Sequence, residues 1–133
     1  IYIYKSGILL LENKNMTIVI KAHGDLLNEK VEAVVNTVNC FGVMGKGIAL
    51  QFKNKWPENY KAYKKACKSG NVNVGKMLVY ELDNLFDDHK YIINFPTKIH
   101  WKEKSQISYI KEGLKDLVKI LEQYNIKSIA IPP

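Results

Sequence analysis

The sequence predicts a single α/β domain in which helices pack on a largely parallel β-sheet. Apolar runs typical of strands alternate with helical patterns from Val31 onward, which is typical of this class. The chain has 133 residues, a length that suits one domain with a substantial core. Because we find no repeat, low-complexity tract or linker, we treat residues 1–133 as one unit.

Six runs of alternating or β-branched apolar residues predict strands, and each is followed by turn-forming or helical sequence. A seventh run, Ile1–Tyr4, is expected to add a strand at the edge of the sheet. The six predicted strands are Ile8–Leu11, Thr17–Ala22, Val31–Val38, Lys76–Leu82, Tyr91–Phe95 and Ser128–Ile131.

Three helices are expected between these strands. From Gly47 onward the residues Ile48, Phe52 and Trp56 recur at every fourth position, which predicts the first helix. Pro57 suits the first turn of a second helix. Its apolar face should consist of Tyr60, Tyr63 and Cys67, and Gly70 is expected to end it.

The third helix shows the clearest amphipathic pattern. Ser105 is expected to be its N-cap residue. Its predicted apolar face consists of Ile107, Ile110, Leu114, Leu117, Val118 and Leu121. Ligands of such folds bind beyond the carboxyl ends of the strands, so polar residues at strand exits are the candidates for a site.

Composition and charge narrow the classes of function. The formal net charge is +7, and all 20 basic residues are lysines. This excess favours attraction to polyanions or reflects only a genome bias, and the lack of arginine argues against bidentate reading of guanine. No apolar run approaches the roughly 20 residues of a membrane span, and no signal peptide is evident. With two cysteines, Cys40 and Cys67, we expect a cytoplasmic protein.

The segment 36–49 leads from an apolar strand through a glycine loop into a helix. Its glycines would let backbone N–H groups approach a diphosphate at the helix N-terminus, and its asparagines could bind ribose hydroxyls. It is not a Walker A loop, because Lys46 is followed by Gly47 rather than by serine or threonine. A tight strand–helix turn without a ligand is the alternative.

Two further strand exits carry candidate residues. Asp25 could accept a hydrogen bond from the exocyclic amine of adenine, or could simply cap a turn. Lys98 could act as a nucleophile or base, or could be a solvated charge. His100 and Trp101 could bind or stack on a base, or Trp101 could cap the core.

Other chemistries find little support. His23, His89 and His100 are scattered, and no histidine or cysteine pair has metal-ligand spacing, so we expect neither a metal nor a cofactor. Cys40 could be a nucleophile beside a helix N-terminus, although a small buried thiol is the commoner outcome.

Taken whole, these segments resemble the macrodomains, and especially the DNA ADP-ribosyl glycohydrolase antitoxins of the DarG type. The resemblance covers about Thr17 to Pro133. It rests on the ordered segments GDLL, VVNTVNCFGVMGKGIALQFKNKWPENYKAYKKACKSG, GKMLVYE, YIINFPTKIHW and GLKDLVKIL…IKSIAIPP. It implies a three-layer α/β/α sandwich with a mixed, largely parallel sheet, and a site for ADP-ribose.

The resemblance also implies roles for individual residues. Asp25 and Leu26 would bind adenine, Asn39 would lie nearest the distal ribose, and Lys98 would be the catalytic residue for cleavage of the glycosidic bond. His100 and Trp101 would meet the modified nucleotide. The remaining ligand-binding positions would be Asn36, Thr37, Gly42, Val43, Met44, Gly45, Lys46, Gly47, Ile48, Ala49, Pro96 and Thr97.

The implied activity is hydrolysis of the bond between ADP-ribose and a nucleobase, with thymidine in DNA as the expected target. The partners would be ADP-ribosylated DNA and a cognate DNA ADP-ribosyltransferase toxin. The alternatives are a reader of ADP-ribose without turnover and a nonspecific nucleic-acid-binding domain. The family continues after IAIPP into a second glycine-rich loop, so we expect the chain, which ends at Pro133, to be truncated at its C-terminus.

Overall fold

The computed structural model describes residues 2–5, 8–11, 18–21, 26–83 and 87–132, with side chains from residue 26 onward. Its three helices are α1 (Gly47–Lys55), α2 (Pro57–Lys68) and α3 (Ile107–Gln123). Its strands are β1 (Tyr2–Lys5), β2 (Ile8–Leu11), β3 (Ile18–Lys21), β4 (Ala33–Asn39), β5 (Leu78–Glu81), β6 (Tyr91–Lys98) and β7 (Ser128–Ile131).

The seven strands form one sheet in the order β2-β1-β3-β7-β4-β6-β5. Four neighbouring pairs, β1–β3, β3–β7, β7–β4 and β4–β6, are parallel, whereas β1–β2 and β5–β6 are antiparallel. The predicted mixed, largely parallel sheet is therefore confirmed. The run Ile1–Tyr4 does contribute a strand, but the expectation that it forms the edge is wrong, because β2 pairs on its outer side.

Alternate residues of the central strands face opposite helical layers. Ala33 and Val35 of β4 pack in one buried cluster with Leu117 of α3. Val34, between them, packs in a second cluster with Phe52 of α1. Because both faces of the sheet are covered by helices, the predicted three-layer arrangement is confirmed.

The strand β6 continues beyond its predicted end. The expectation stopped this strand at Phe95, whereas the structure carries it through Pro96 to Lys98. Proline lacks a backbone N–H and usually ends or borders a strand. Here β5 pairs with β6 only as far as Asn94, so Pro96 lies beyond the pairing on that side. The extension brings Lys98 level with the end of β4.

The first two helices form as expected, and the third differs at its start. Pro57 begins α2, and Gly70, with φ 73°, follows its last turn. The N-cap of α3 is Gln106 rather than Ser105, because the Gln106 carbonyl accepts the first helical hydrogen bonds. Ile107 and Ile110 are exposed, so the apolar face buries only later residues such as Leu117.

Asp87 and the buried His89 anchor the segment that precedes β6. The Asp87 carboxylate accepts hydrogen bonds from the Trp56 indole at 2.9 Å and from the His89 backbone at 3.0 Å. His89 in turn donates from Nε2 to the Glu29 carbonyl over 2.7 Å. Burial acts to raise the pKa of Asp87, but these hydrogen bonds and the neighbouring His89 outweigh it, so the pKa lies below its ordinary value.

Helix α3 approaches β6 most closely at Gly113. A Cβ at this position would lie 2.4 Å from two ring carbons of the buried Phe95. We expect Gly113→Ala to lower the free energy of unfolding by roughly 1–3 kcal/mol, because overpacking outweighs the gain in helix propensity. Urea denaturation checks this, with the exposed Lys111→Ala as the control. Unchanged stability of Gly113→Ala would show that Phe95 and α3 can make room for the added methyl group at no cost in free energy.

Candidate functional site

The carboxyl ends of β4 and β6 open into a cavity of about 500 Å³. The last residues of the two strands, Asn39 and Lys98, are partners in the sheet register. The lining residues are Thr37, Val38, Asn39, Val43, Gly45, Lys46, Gly47, Ile48, Ala49, Thr97, Lys98, Trp101 and Ser105. The glycine loop, the start of α1 and the end of β6 therefore meet at one edge of the sheet, as the parallel arrangement predicts.

Asn39 folds the glycine loop with its side chain. Its Oδ1 accepts hydrogen bonds from the backbone N–H groups of Phe41, Gly42 and Val43 at 3.0, 3.1 and 3.3 Å. Its amide nitrogen donates to the Val43 carbonyl over 2.8 Å. Although Asn39 lines the cavity, most of its hydrogen-bonding capacity is committed to the shape of the loop.

Tyr63 of α2 stabilises this arrangement through hydrogen bonds to Asn39. Its hydroxyl lies 2.7 Å from the Asn39 carbonyl oxygen and 2.8 Å from Asn39 Oδ1, so it donates to Asn39. Burial raises the pKa of Tyr63, which keeps the hydroxyl protonated. The helical pattern predicted Tyr63 as an apolar-face residue, and nothing in its spacing indicated a polar contact 24 positions away.

The glycines of the loop differ in whether their backbone conformation favours glycine. Gly42 and Gly47 have φ values of 98° and 62°, which favour glycine. Gly45 does not lie in this region, and a Cβ there would contact only Val43 Cγ1, at 3.4 Å. Gly45 instead keeps the cavity open beside the loop.

The N-terminus of α1 lines the cavity, and no side chain of the described residues caps it. Its N-cap residue, Lys46, makes no side-chain cap hydrogen bond. The first three helical residues, Gly47, Ile48 and Ala49, line the cavity. Uncapped backbone N–H groups and the positive end of the helix dipole together favour an anion. The geometry therefore suits a phosphate group.

Lys98 lines the same cavity as this helix terminus. Its backbone carbonyl accepts a hydrogen bond from the Cys40 N–H at 3.1 Å, which ties the end of β6 to the residue after β4. Its side chain is half-buried, and its ammonium makes no hydrogen bond or ion pair with any residue of the described part of the chain. The amine is thus available to a bound ligand.

Several predicted site residues lie outside the cavity wall. Asn36 is fully buried and donates to Asn94 Oδ1 at 3.4 Å, and Met44 packs in the core beneath the loop. Leu26 packs in the core cluster around Phe52. Gly42, Pro96 and His100 also do not line it.

One predicted residue needs separate mention, together with two residues that the sequence did not suggest. Asp25 lies outside the described residues. Val38 and Ser105 line the cavity but were not among the predicted site residues. Val38 was predicted only as the last residue of a strand, and Ser105 was predicted only as an N-cap residue, so neither prediction indicated a position at the cavity wall.

The two cysteines and the described histidines, His89 and His100, give no sign of a second reactive site. Burial raises the pKa of the Cys40 thiol, and burial likewise raises the pKa of Cys67, so neither is an activated thiolate. Within the residues that the structure describes, no group of three His, Cys, Asp or Glu side chains could hold a metal ion. Among the described helices, none is both long and apolar enough to cross a membrane.

Comparison with known proteins agrees with this geometry. A family model for the Macro domain matches residues 35–133. The macrodomain of Mycobacterium tuberculosis DarG shares 54% identity and superposes with a TM-score of 0.84, covering 88% of this chain and 76% of that one. The macrodomain of Thermus aquaticus DarG shares 49% identity with a TM-score of 0.81, covering 90% and 78%.

Curated relatives are longer than this chain. The DNA ADP-ribosyl glycohydrolase of Mycobacterium tuberculosis is 57% identical over 110 residues, which is 83% of this chain and 31% of the relative. A DNA ADP-ribosyl transferase–DNA ADP-ribosyl glycohydrolase fusion protein of Thermosipho africanus is 32% identical over 82% of this chain and 32% of its own length. The chain thus spans about a third of the curated relatives it matches. On the match to the family model and the identity to two DarG macrodomains, the chain belongs to the macrodomain family.

Proposed function

We propose that this macrodomain binds ADP-ribose and hydrolyses the bond between ADP-ribose and a nucleobase in DNA. The observation that carries the proposal is that the amine of Lys98, which has no partner among the described residues, lines the same cavity as the N-terminus of α1. One feature holds an anion and the other supplies a nucleophile or base, and a glycohydrolase of this ligand needs both. The names of the relatives that are more than 50% identical support the same activity.

In this proposal the diphosphate of ADP-ribose lies against the loop Gly45–Gly47 and the first turn of α1. The distal ribose lies near Thr37 and Thr97, beside the loop that Asn39 shapes. Adenine is directed toward Asp25, with Leu26 as part of the core that supports this end. Asn36 and Met44 would act indirectly, by packing beneath the loop.

Lys98 then acts at the anomeric carbon of the distal ribose. A neutral amine can attack this carbon while the bond to the nucleobase breaks, and the base leaves with the electron pair of that bond and takes up the proton that the lysine nitrogen loses. Water then attacks the same carbon, the bond to the lysine nitrogen breaks, and the amine recovers a proton from the water. Alternatively, the amine takes a proton from the attacking water. Either route needs only the chain and water, so the proposal includes neither a metal nor a cofactor.

Trp101 lines the cavity, and His100 stacks on its ring with centroids 5.3 Å apart. We assign these two residues to the nucleotide that carries the modification, with thymidine in DNA as the proposed target. The proposed partner is a cognate DNA ADP-ribosyltransferase toxin, because the Thermosipho africanus relative is a fusion of both activities. The proposed location is the cytoplasm, where such DNA would be met.

The test is incubation of the full-length natural protein with a single-stranded oligonucleotide that carries ADP-ribose on thymidine. We expect release of free ADP-ribose and of unmodified oligonucleotide, separated on a gel. Binding of ADP-ribose without release would identify a reader instead. Binding of DNA that is indifferent to ADP-ribose and falls steeply with salt would identify a nonspecific nucleic-acid-binding domain.

A further inference from the structure

Three aromatic rings form a continuous row that starts at the cavity and leaves it. The rings of His100 and Trp101 are stacked, with an interplanar angle of 26°. The ring of Phe41 lies 4.7 Å from that of His100, measured between centroids. Trp101 lines the cavity, whereas Phe41 does not. We call Phe41, His100 and Trp101 the aromatic row.

The two ends of the aromatic row are exposed, and His100 between them is half-buried. Phe41 is 61% and Trp101 is 42% accessible to solvent, while Phe52 and Tyr63 are fully buried. Because these rings are not buried in the core, they contribute little to the stability of the fold. Contiguous exposed apolar surface commonly marks a binding site. The proposed hydrolysis uses only the Trp101 end of the row, so the Phe41 end is left without a role.

Backbone hydrogen bonds hold the row in place. The Cys40 N–H donates to the carbonyls of Lys98 and Ile99 at 3.1 and 3.0 Å, which joins the two loops that carry the rings. The Lys102 N–H donates to Nδ1 of His100 over 3.1 Å and fixes the imidazole ring. A surface fixed before the ligand arrives loses less entropy on binding.

Positive charge accompanies the row. The Nζ of Lys102 lies 5.0 Å from the centroid of the Trp101 ring, and Lys46 is exposed at the cavity wall. The aliphatic part of the Lys64 side chain, at Cγ, also lies near Gly42. Glu103 is an acidic neighbour on the same loop as the row. Exposed aromatic rings among lysines, on a chain of net charge +7, match the surfaces that bind single-stranded nucleic acid.

We propose that the aromatic row is a stacking platform for single-stranded DNA. The base next to the modified nucleotide stacks on Phe41, and the flanking phosphates pair with Lys102 and nearby lysines. The proposal rests on the proposed function, because it assumes that the modified nucleotide enters the cavity beside Trp101. It adds that the enzyme recognises a neighbouring base, which is free to stack only where the strand is unpaired.

The first test does not depend on hydrolysis. Binding of fluorescent, unmodified oligothymidylate to the full-length protein is measured by anisotropy. We expect Phe41→Ala to weaken binding about tenfold, since stacking one base contributes this order of free energy. Phe41→Tyr should bind like the parent. Ile110→Ala, which removes an exposed apolar side chain of α3 outside the row, should also bind like the parent.

The second test locates the base. Three ADP-ribosylated trinucleotides are compared: one intact, one with an abasic site on the 5′ side and one with an abasic site on the 3′ side. We expect the parent to lose about tenfold in kcat/KM with one of the two abasic substrates. Phe41→Ala should be slower on the intact trinucleotide and insensitive to that abasic site. Its affinity for free ADP-ribose should equal that of the parent.

The outcomes separate the two proposals. Equal oligothymidylate binding by the parent and by Phe41→Ala overturns the platform. If, in that case, sedimentation shows that Phe41→Ala changes self-association, the row is instead a contact between copies of the chain. If the parent releases no ADP-ribose but still loses oligothymidylate affinity through Phe41→Ala, hydrolysis fails and the platform stands. If hydrolysis proceeds equally on all three trinucleotides, the platform fails and hydrolysis stands.

Discussion

Lys98→Ala is expected to lose release of ADP-ribose from DNA by roughly 100-fold or more, the contribution of a positioned nucleophile or general base. Affinity for free ADP-ribose should stay largely intact, because the uncapped N-terminus of α1 and the loop up to Gly47 remain. Turnover of an ADP-ribosylated oligonucleotide and calorimetry with ADP-ribose measure the two effects separately. Both are to be made on the full-length natural protein.

Two further variants sharpen this result. Lys98→Arg keeps a positive charge but should be equally inactive, because a guanidinium stays protonated and cannot serve as a nucleophile or base. Lys119→Ala removes an exposed lysine of α3 and should turn over like the parent, which controls for the loss of one positive charge. Normal turnover of Lys98→Ala would reduce this lysine to a surface charge. Loss of turnover and binding together would give it a role in ligand capture.

Gly45→Glu should weaken ADP-ribose binding by roughly 100-fold or more, since like charges brought together at a site cost several kcal/mol. Gly45 lines the cavity, and its backbone lies outside the region that favours glycine. A Cβ there would contact only Val43. The added carboxylate therefore enters the ligand space rather than the core, and the fold should be retained.

Gly45→Gln is the matched control, because it adds nearly the same volume without the charge. We expect intermediate affinity in calorimetry, so that the two variants divide the effect into bulk and repulsion. Circular dichroism and thermal denaturation should show the parental fold for both. Parental affinity in Gly45→Glu would place the diphosphate elsewhere and remove this loop from the site.

Much of the fold was predictable because it is encoded in local patterns. Helical spacing from Gly47 to Trp56 and the proline–glycine pair around α2 gave helices that the structure confirms. The parallel arrangement then placed the glycine loop and Lys98 at one edge. The end of β6 was missed because Pro96 ordinarily ends a strand, and only the short reach of β5 permits it there.

The site likewise has features that the sequence predicted and features that only the structure showed. Glycine-rich sequence before a helix predicts an anion site from residues that are neighbours in the chain, and the cavity forms there. The hydrogen bonds of Asn39 with Tyr63, and the row from Phe41 to Trp101, join residues that are distant in sequence. No local pattern reports such contacts.

By itself, the sequence determined the order of strands and helices, the edge of the sheet that carries the loop, and the resemblance to macrodomains. Each of these follows from periodicity or from contiguous motifs. Only the tertiary structure decided that Asn39 shapes the loop, that Asn36 and Met44 lie beneath it, and that Ser105 lines the wall. The physical reason is that a side chain's partners are set by how β4, α2 and β6 pack together, and spacing along the chain does not contain that packing.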